Sequence, residues 1–245
     1  MSAPRRRADA LDSVTQEQLA AVAAFSVSSP AGALRWCLVG RAFASAFSFF
    51  GLWERVVEEV CWPQPPSKRE RLLAAYGKMG RHCRRLSYDC VMGGLADLPT
   101  LARCCPAVQA VELTGLGAEG VDTEVWGSWG RTLRRAHVSF HYDAIDGPAE
   151  VRGVIEGLLA RCPELEQLAI SGIDWPGARA ACLDVLLARA RLAAPSRCAG
   201  DGASHPRLSH VSLDGSEARL SCEELRRLSR AWPGIALKAR VRDAP

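Results

Sequence analysis

Pro163-Glu-Leu-Glu-Gln-Leu-Ala-Ile-Ser-Gly172 decides how this chain is read, because its spacing returns twice, as Pro106-Ala-Val-Gln-Ala-Val-Glu-Leu-Thr-Gly115 and as Pro206-Arg-Leu-Ser-His-Val-Ser-Leu-Asp-Gly215. All three place apolar residues at the third, sixth and eighth positions between a proline and a glycine. The apolar positions alone carry little weight, since a chain that is 48% hydrophobic meets them in roughly one window of nine. Adding the fixed proline and glycine lowers the expectation to about 0.1 matches in the whole chain, so three copies mark an internal repeat. Degenerate copies stand at Leu133-Arg-Arg-Ala-His-Val138, early around Leu86, and late after Trp232-Pro233.

Each copy offers a short strand with apolar residues at period two, and helical stretches at residues 150–162 and 178–192 separate the copies. Ser221-Cys-Glu-Glu224 is a capping box that opens a further helix. Helix, proline, strand and glycine in succession predict an α/β fold, a short and irregular solenoid over residues 67–245 with parallel strands on its inner face. The repeat spacing grows along the chain, and residues 194–205, rich in Ala, Ser and Gly, read as a loop. Residues between the buried strand positions face outward. Glu112 and Thr114, Arg135 and His137, Gln167 and Ser171, His210 and Ser212 are therefore the candidates for touching a bound protein.

Composition narrows the classes further. The chain has 245 residues, 24% of them charged, with a formal net charge of +4, an ordinary profile for a soluble globular protein of one or two domains. Ten cysteines are scattered without a CxxC pair, which argues against a zinc ribbon or a thioredoxin-like motif and for a reducing compartment. Residues 1–12 carry Arg5, Arg6 and Arg7 but meet Asp9 and Asp12 before any apolar run, and read as a disordered basic segment. The apolar run at residues 42–53 is far short of the roughly 20 residues of a membrane-spanning helix. Lys68, Arg69, Arg71, Lys78, Arg81, Arg84 and Arg85 follow the break Pro63-Gln-Pro-Pro66 and are expected along a solvated helix face. No aromatic residues alternate with them as stacking platforms, so nucleic acid is not expected.

The first quarter reads as helical. Leu19, Val22, Ala23 and Phe25 recur mostly at three- and four-residue steps, Ser28-Ser29-Pro30-Ala31-Gly32 breaks the pattern, and Leu34, Leu38, Ala42 and Ala46 form a second stripe before Phe50-Gly-Leu-Trp53. Three short helices cannot bury this surface alone, which predicts a partner surface. Residues 13–62, and above all 34–53, resemble an F-box: Leu34, Val39, Arg41, Phe43, Leu52 and Trp53 take the family's leucine, valine, arginine, aromatic and leucine-tryptophan positions. Ser13-Val14 stands where the family has leucine-proline, and Gly40 where a larger residue is common. The phrases Arg103-Cys-Cys-Pro106 and Arg161-Cys-Pro163 resemble the cysteine-containing leucine-rich repeats found behind F-boxes, with the cysteines as small buried hydrophobes. The resemblance implies a three-helix F-box unit followed by leucine-rich repeats. It further implies a substrate-recognition subunit of a ubiquitin ligase, which docks to a Skp-type adaptor, and through it a cullin, by Leu19, Val22, Leu34, Val39, Phe43, Leu52 and Trp53. Such a protein holds an unknown protein target, catalyses nothing itself, needs no cofactor or metal, touches no membrane, and works in the cytoplasm, the nucleus or both. A repeat scaffold without a ligase role is the milder alternative.

Sharper chemistry is sparse. Gly115-Leu-Gly117-Ala-Glu-Gly120 satisfies GxGxxG after an expected strand, and Asp143 is expected to end the next strand where a ribose-binding carboxylate would stand. Against this nucleotide-binding reading, the phosphate-binding helix it would need over residues 121–131 contains Gly127 and Gly130, and Gly115 already closes a repeat. His137 and His141 lie four apart on an expected strand, hence on one face, without a zincin glutamate or a third ligand. Trp126 and Trp129 sit in a loop-like stretch and are expected to pack under the solenoid.

Overall fold

Apolar residues at every second position make half-buried strands, and the computed structural model lays these segments side by side. It describes residues 58–60, 73, 76–77, 80–90, 95–117, 121–141, 147–174, 176–193, 207–214 and 220–239, with Thr15 and Gln18. The strands among them are β1 (Glu58–Val60), β2 (Arg85–Asp89), β3 (Ala110–Leu116), β4 (Arg135–Phe140), β5 (Gln167–Ser171), β6 (His210–Asp214) and β7 (Ala236–Ala239). They form one seven-stranded sheet whose spatial order is the chain order, and every neighbouring pair is parallel. The protein is thus α/β, as the alternation of strand and helix patterns predicts.

Parallel neighbours cannot be joined by a tight hairpin, so each crossover after β2 carries a helix. These are α1 (Leu98–Cys104), α2 (Thr123–Trp129), α3 (Pro148–Arg161), α4 (Pro176–Ala193) and α5 (Cys222–Ala231), and a 3-10 turn at Gly80–His82 precedes β2. Consecutive helices touch, α1 with α2 through to α4 with α5, in a single row. The row covers one face of the sheet only. Leu86, Tyr88, Val111, Leu113, Val138, Leu168, Ile170, Val211 and Leu213 are buried there, against helix residues such as Leu101, Trp129, Ile155, Leu158 and Leu228. The capping box forms as expected: the Ser221 backbone N–H donates to Glu224 Oε2 at 2.7 Å, and the Glu224 N–H to Ser221 Oγ at 3.2 Å.

The repeat has a physical cause at each position. All nine apolar positions of the three quoted copies, from Val108 to Leu213, are buried. Gly115 and Gly172 adopt left-handed backbone, with φ of 69° and 71°. At Gly172 an added Cβ would also collide with the Phe140 backbone, so no other residue fits there without strain. One backbone carbonyl per copy, from Arg84, Gln109, Arg134 and Glu166 in turn, accepts from two successive N–H groups at the start of the next strand, at 2.8–3.1 Å. Four identical forks in a row hold the strands in step.

Several expectations are corrected. Arg85, Ala110, Arg135, Gln167, His210 and Ala236 stand level across the sheet, which puts the steps at 25, 25, 32, 43 and 26 residues; the spacing grows and then contracts. The two longest steps hold the longest helices, the 14-residue α3 and 18-residue α4, while α1 and α2 have 7 residues each. Part of the extra length therefore goes into the covering helices, while the strands stay level. Glu58–Val60, read from sequence as the end of the helical module, pairs with β2 as the first strand. Arg85 lies on no helix face but opens β2. The tryptophans are not on a loop: α2 carries both, fully buried, with ring centroids 6.2 Å apart in an edge-to-face arrangement. Trp129 Nε1 donates to the Cys105 carbonyl at 3.1 Å, and Trp232 Nε1 to that of Leu186 at 2.9 Å, tying the helical layer together.

Cys105 and Cys162 are buried, as the small hydrophobes of the repeat. Burial pushes the thiols of Cys162 and Cys182 up to about 12, and that of Cys90 likewise, with help from the Asp89 charge. Cys83 behaves differently, because its hydrogen bond with Cys105 holds the thiol low against the push of burial. Among the described residues no helix is long and apolar enough to cross a membrane.

Candidate functional site

Among the described residues no helix lies on the second face of the sheet, and the strands' alternate residues stand on it in level rows. The first row is Arg85, Ala110, Arg135, Gln167, His210 and Ala236; the second is Ser87, Glu112, His137, Ala169, Ser212 and Lys238. Together with the strand backbones they line a groove of about 540 Å³ across the first halves of β2 to β7. Of the sequence-predicted residues, Glu112, Arg135, His137, Gln167, His210 and Ser212 line this groove. Thr114 and Ser171 share the face but lie one row farther along, Thr114 at the register shift between Leu113 and Leu116.

A chain of hydrogen bonds crosses four strands. His137 Nδ1 meets Glu112 Oε1 at 3.1 Å, His137 Nε2 meets Ser171 Oγ at 3.0 Å, and Ser87 Oγ donates to Glu112 Oε2 at 3.4 Å. A carboxylate only accepts, so Nδ1 carries a hydrogen; in the neutral ring Nε2 then accepts from the Ser171 hydroxyl. That connectivity is the one used to activate a serine nucleophile. Two features oppose catalysis here. β5 is paired along both edges, by β4 and β6, so the N–H groups around Ser171 are committed to ladders and cannot converge on an oxyanion. The Glu112 side chain is 48% exposed, which leaves its charge screened by water. The relay instead fixes the rotamers of Glu112 and His137.

His141 follows the end of β4 at Phe140, and its N–H donates to the Leu116 carbonyl at 3.0 Å. Gly115 and Leu116 lie inside β3, well before α2 begins at Thr123, and the strand order never reverses among the described strands. A dinucleotide sits where strand order reverses, so the glycine motif has no switch-point crevice beside it. Asp143 and Gly120 lie outside the described residues, as do Leu19, Val22, Leu34, Val39, Phe43, Leu52 and Trp53.

Sequence reasoning passed over Arg85, Ser87 and Lys238, which line the same groove. The signal was there: copies around Leu86 and after Trp232-Pro233 put these residues at outward positions, but the first had been absorbed into a basic cluster and the second lacked a matching apolar spacing. The chain matches no protein-family model, and no curated protein is significantly similar to it.

Proposed function

We propose that this chain is the target-recognition subunit of a Skp/cullin/F-box ubiquitin ligase, an F-box unit followed by a short arc of leucine-rich repeats. The observation that carries this reading is the open sheet face. Six consecutive parallel strands present polar side chains to solvent in level rows, and a hydrogen-bond relay holds part of them in place. A fixed polar surface backed by a packed core suits the capture of a protein, because little ordering remains to be done on binding. In this reading the residues ahead of β1, from about 13, dock the adaptor, the groove holds the target, and the other subunits perform ubiquitin transfer.

Ser13-Val14 and Gly40 depart from the F-box pattern, and they favour a second reading, a repeat scaffold that has lost its adaptor. Co-expression with a Skp-type adaptor separates the two. A one-to-one complex on gel filtration that is lost in the Leu34→Asp/Trp53→Ala variant supports the ligase subunit. Two folded proteins that elute apart would overturn it and leave the scaffold.

A further inference from the structure

We infer that the open face takes an extended acidic segment of its protein target, with carboxylates about three residues apart, and that Arg85 and Arg135 are the side chains that read it. The inference rests on the reading of this face as the target-binding surface, though not on the adaptor.

Charge within the groove is lopsided. Three cations line it, Arg85, Arg135 and Lys238, all exposed and none with an ion pair among the described residues. Arginines just outside the groove are satisfied: Arg134 meets Glu166 at 3.2 Å and Arg207 meets Glu164 at 2.6 Å. Glu112, the one carboxylate among the groove's described residues, is held by His137 and Ser87 and makes no ion pair with a described arginine. Asp89 and Asp214 stand at the opposite ends of β2 and β6 and do not line the groove. A surplus of positive charge therefore faces solvent in a concave site, where a guanidinium fork can take a carboxylate by two parallel hydrogen bonds.

Geometry sets the spacing. Arg85 and Arg135 are level and two strands apart, with only the methyl group of Ala110 between them. Two strand spacings amount to about 10 Å, and an extended chain of polyproline II form covers about that in one turn of three residues, each rising about 3.1 Å, which returns the side chain to the same side. A segment lying across the strands would put one carboxylate on each arginine, pass its backbone over Ala110, and continue over Ala169 and Ala236 toward Lys238. Among the described residues no Trp, Tyr or Phe lines the groove to stack a base, which favours peptide over single-stranded nucleic acid.

The test is fluorescence anisotropy on the full chain with labelled peptides of Ser, Gly and Gln that carry glutamates at three-residue intervals. An isomer with the same glutamates clustered, and a version with lysine for glutamate, serve as controls. The spaced peptide is expected to bind about tenfold more tightly than either control, and to lose about tenfold in an Arg85→Ser/Arg135→Ser variant whose melting temperature is unchanged. Equal binding of the two isomers, undiminished binding to the variant, or no binding to the intact chain would overturn the inference. So would displacement of the peptide by single-stranded RNA at lower concentration than by the unlabelled peptide. Adaptor binding by the same preparation keeps the failures apart: a chain that binds the adaptor but no acidic peptide loses only this inference, and one that binds the peptide but no adaptor loses only the ligase role.

Discussion

The two faces of one sheet obey different rules, although they are built from alternate residues of the same strands. Facing the helices, the level positions Leu86, Val111, Ala136, Leu168, Val211 and Leu237 are all apolar and differ only in size. Facing solvent one residue on, Ser87, Glu112, His137, Ala169, Ser212 and Lys238 share almost nothing. The covered face repeats because each copy must solve the same packing problem. The open face varies because, among the described residues, no helix packs on it to constrain it. Substitutions on the two faces should therefore separate stability from binding.

Ile170→Ala should show the largest effect. The side chain is fully buried under the helical row, and truncation leaves a cavity that packed neighbours fill only in part. We expect a loss of about 2–5 kcal/mol in urea unfolding followed by circular dichroism. A loss under about 1 kcal/mol would mean that the helices do not pack on the sheet as described, and the contrast between faces would fail.

That asymmetry also explains what was legible in the sequence. The repeat, the strands at 110–116, 167–171 and 210–214, the helices α3 and α4 and the cap at Ser221 were readable because burial imposes period two on strands and because Gly172 and Ser221 meet strict local demands. The helix α2 was obscured by Gly127 and Gly130, where burial of Trp126 and Trp129 outweighs poor helix propensity. Outward residues could be placed on a face by alternation alone. Which of them meet, as Glu112, His137 and Ser171 do, depends on a diagonal across three strands that no local pattern encodes.

Raising the pH should weaken the covered face next. Cys90, Cys162 and Cys182 keep their protons in the fold up to about 12, whereas thiols in the unfolded chain release theirs near the ordinary value of 9. A group whose folded value is raised contributes stability that is complete below the lower value and is lost as pH climbs through the window between them. Stability should therefore fall from about pH 9 upward, by at most about 1.4 kcal/mol per pH unit for each thiol. Urea midpoints of the intact chain and of Cys162→Ala/Cys182→Ala, taken from about pH 8 to about pH 10.5, check the claim. The variant should show the shallower decline, and parallel declines would show that these thiols are not the buried groups responsible.

The smallest change in stability is expected from His137→Ala on the open face, and it is the more informative for that. Its two hydrogen bonds join groups that are 39% and 48% exposed at the Glu112 pair, so water replaces most of what is lost, and we expect less than about 1 kcal/mol. Binding should respond quite differently. Without His137, the Glu112 carboxylate keeps only its long bond to Ser87 and becomes free to turn toward Arg135, its neighbour in the next row of the adjoining strand. An internal carboxylate would then compete for the guanidinium that the groove otherwise offers to a partner, and affinity for the spaced acidic peptide should drop severalfold. Adding Glu112→Gln to the same variant removes the competitor and should restore the affinity, an outcome that a merely structural role for His137 would not produce.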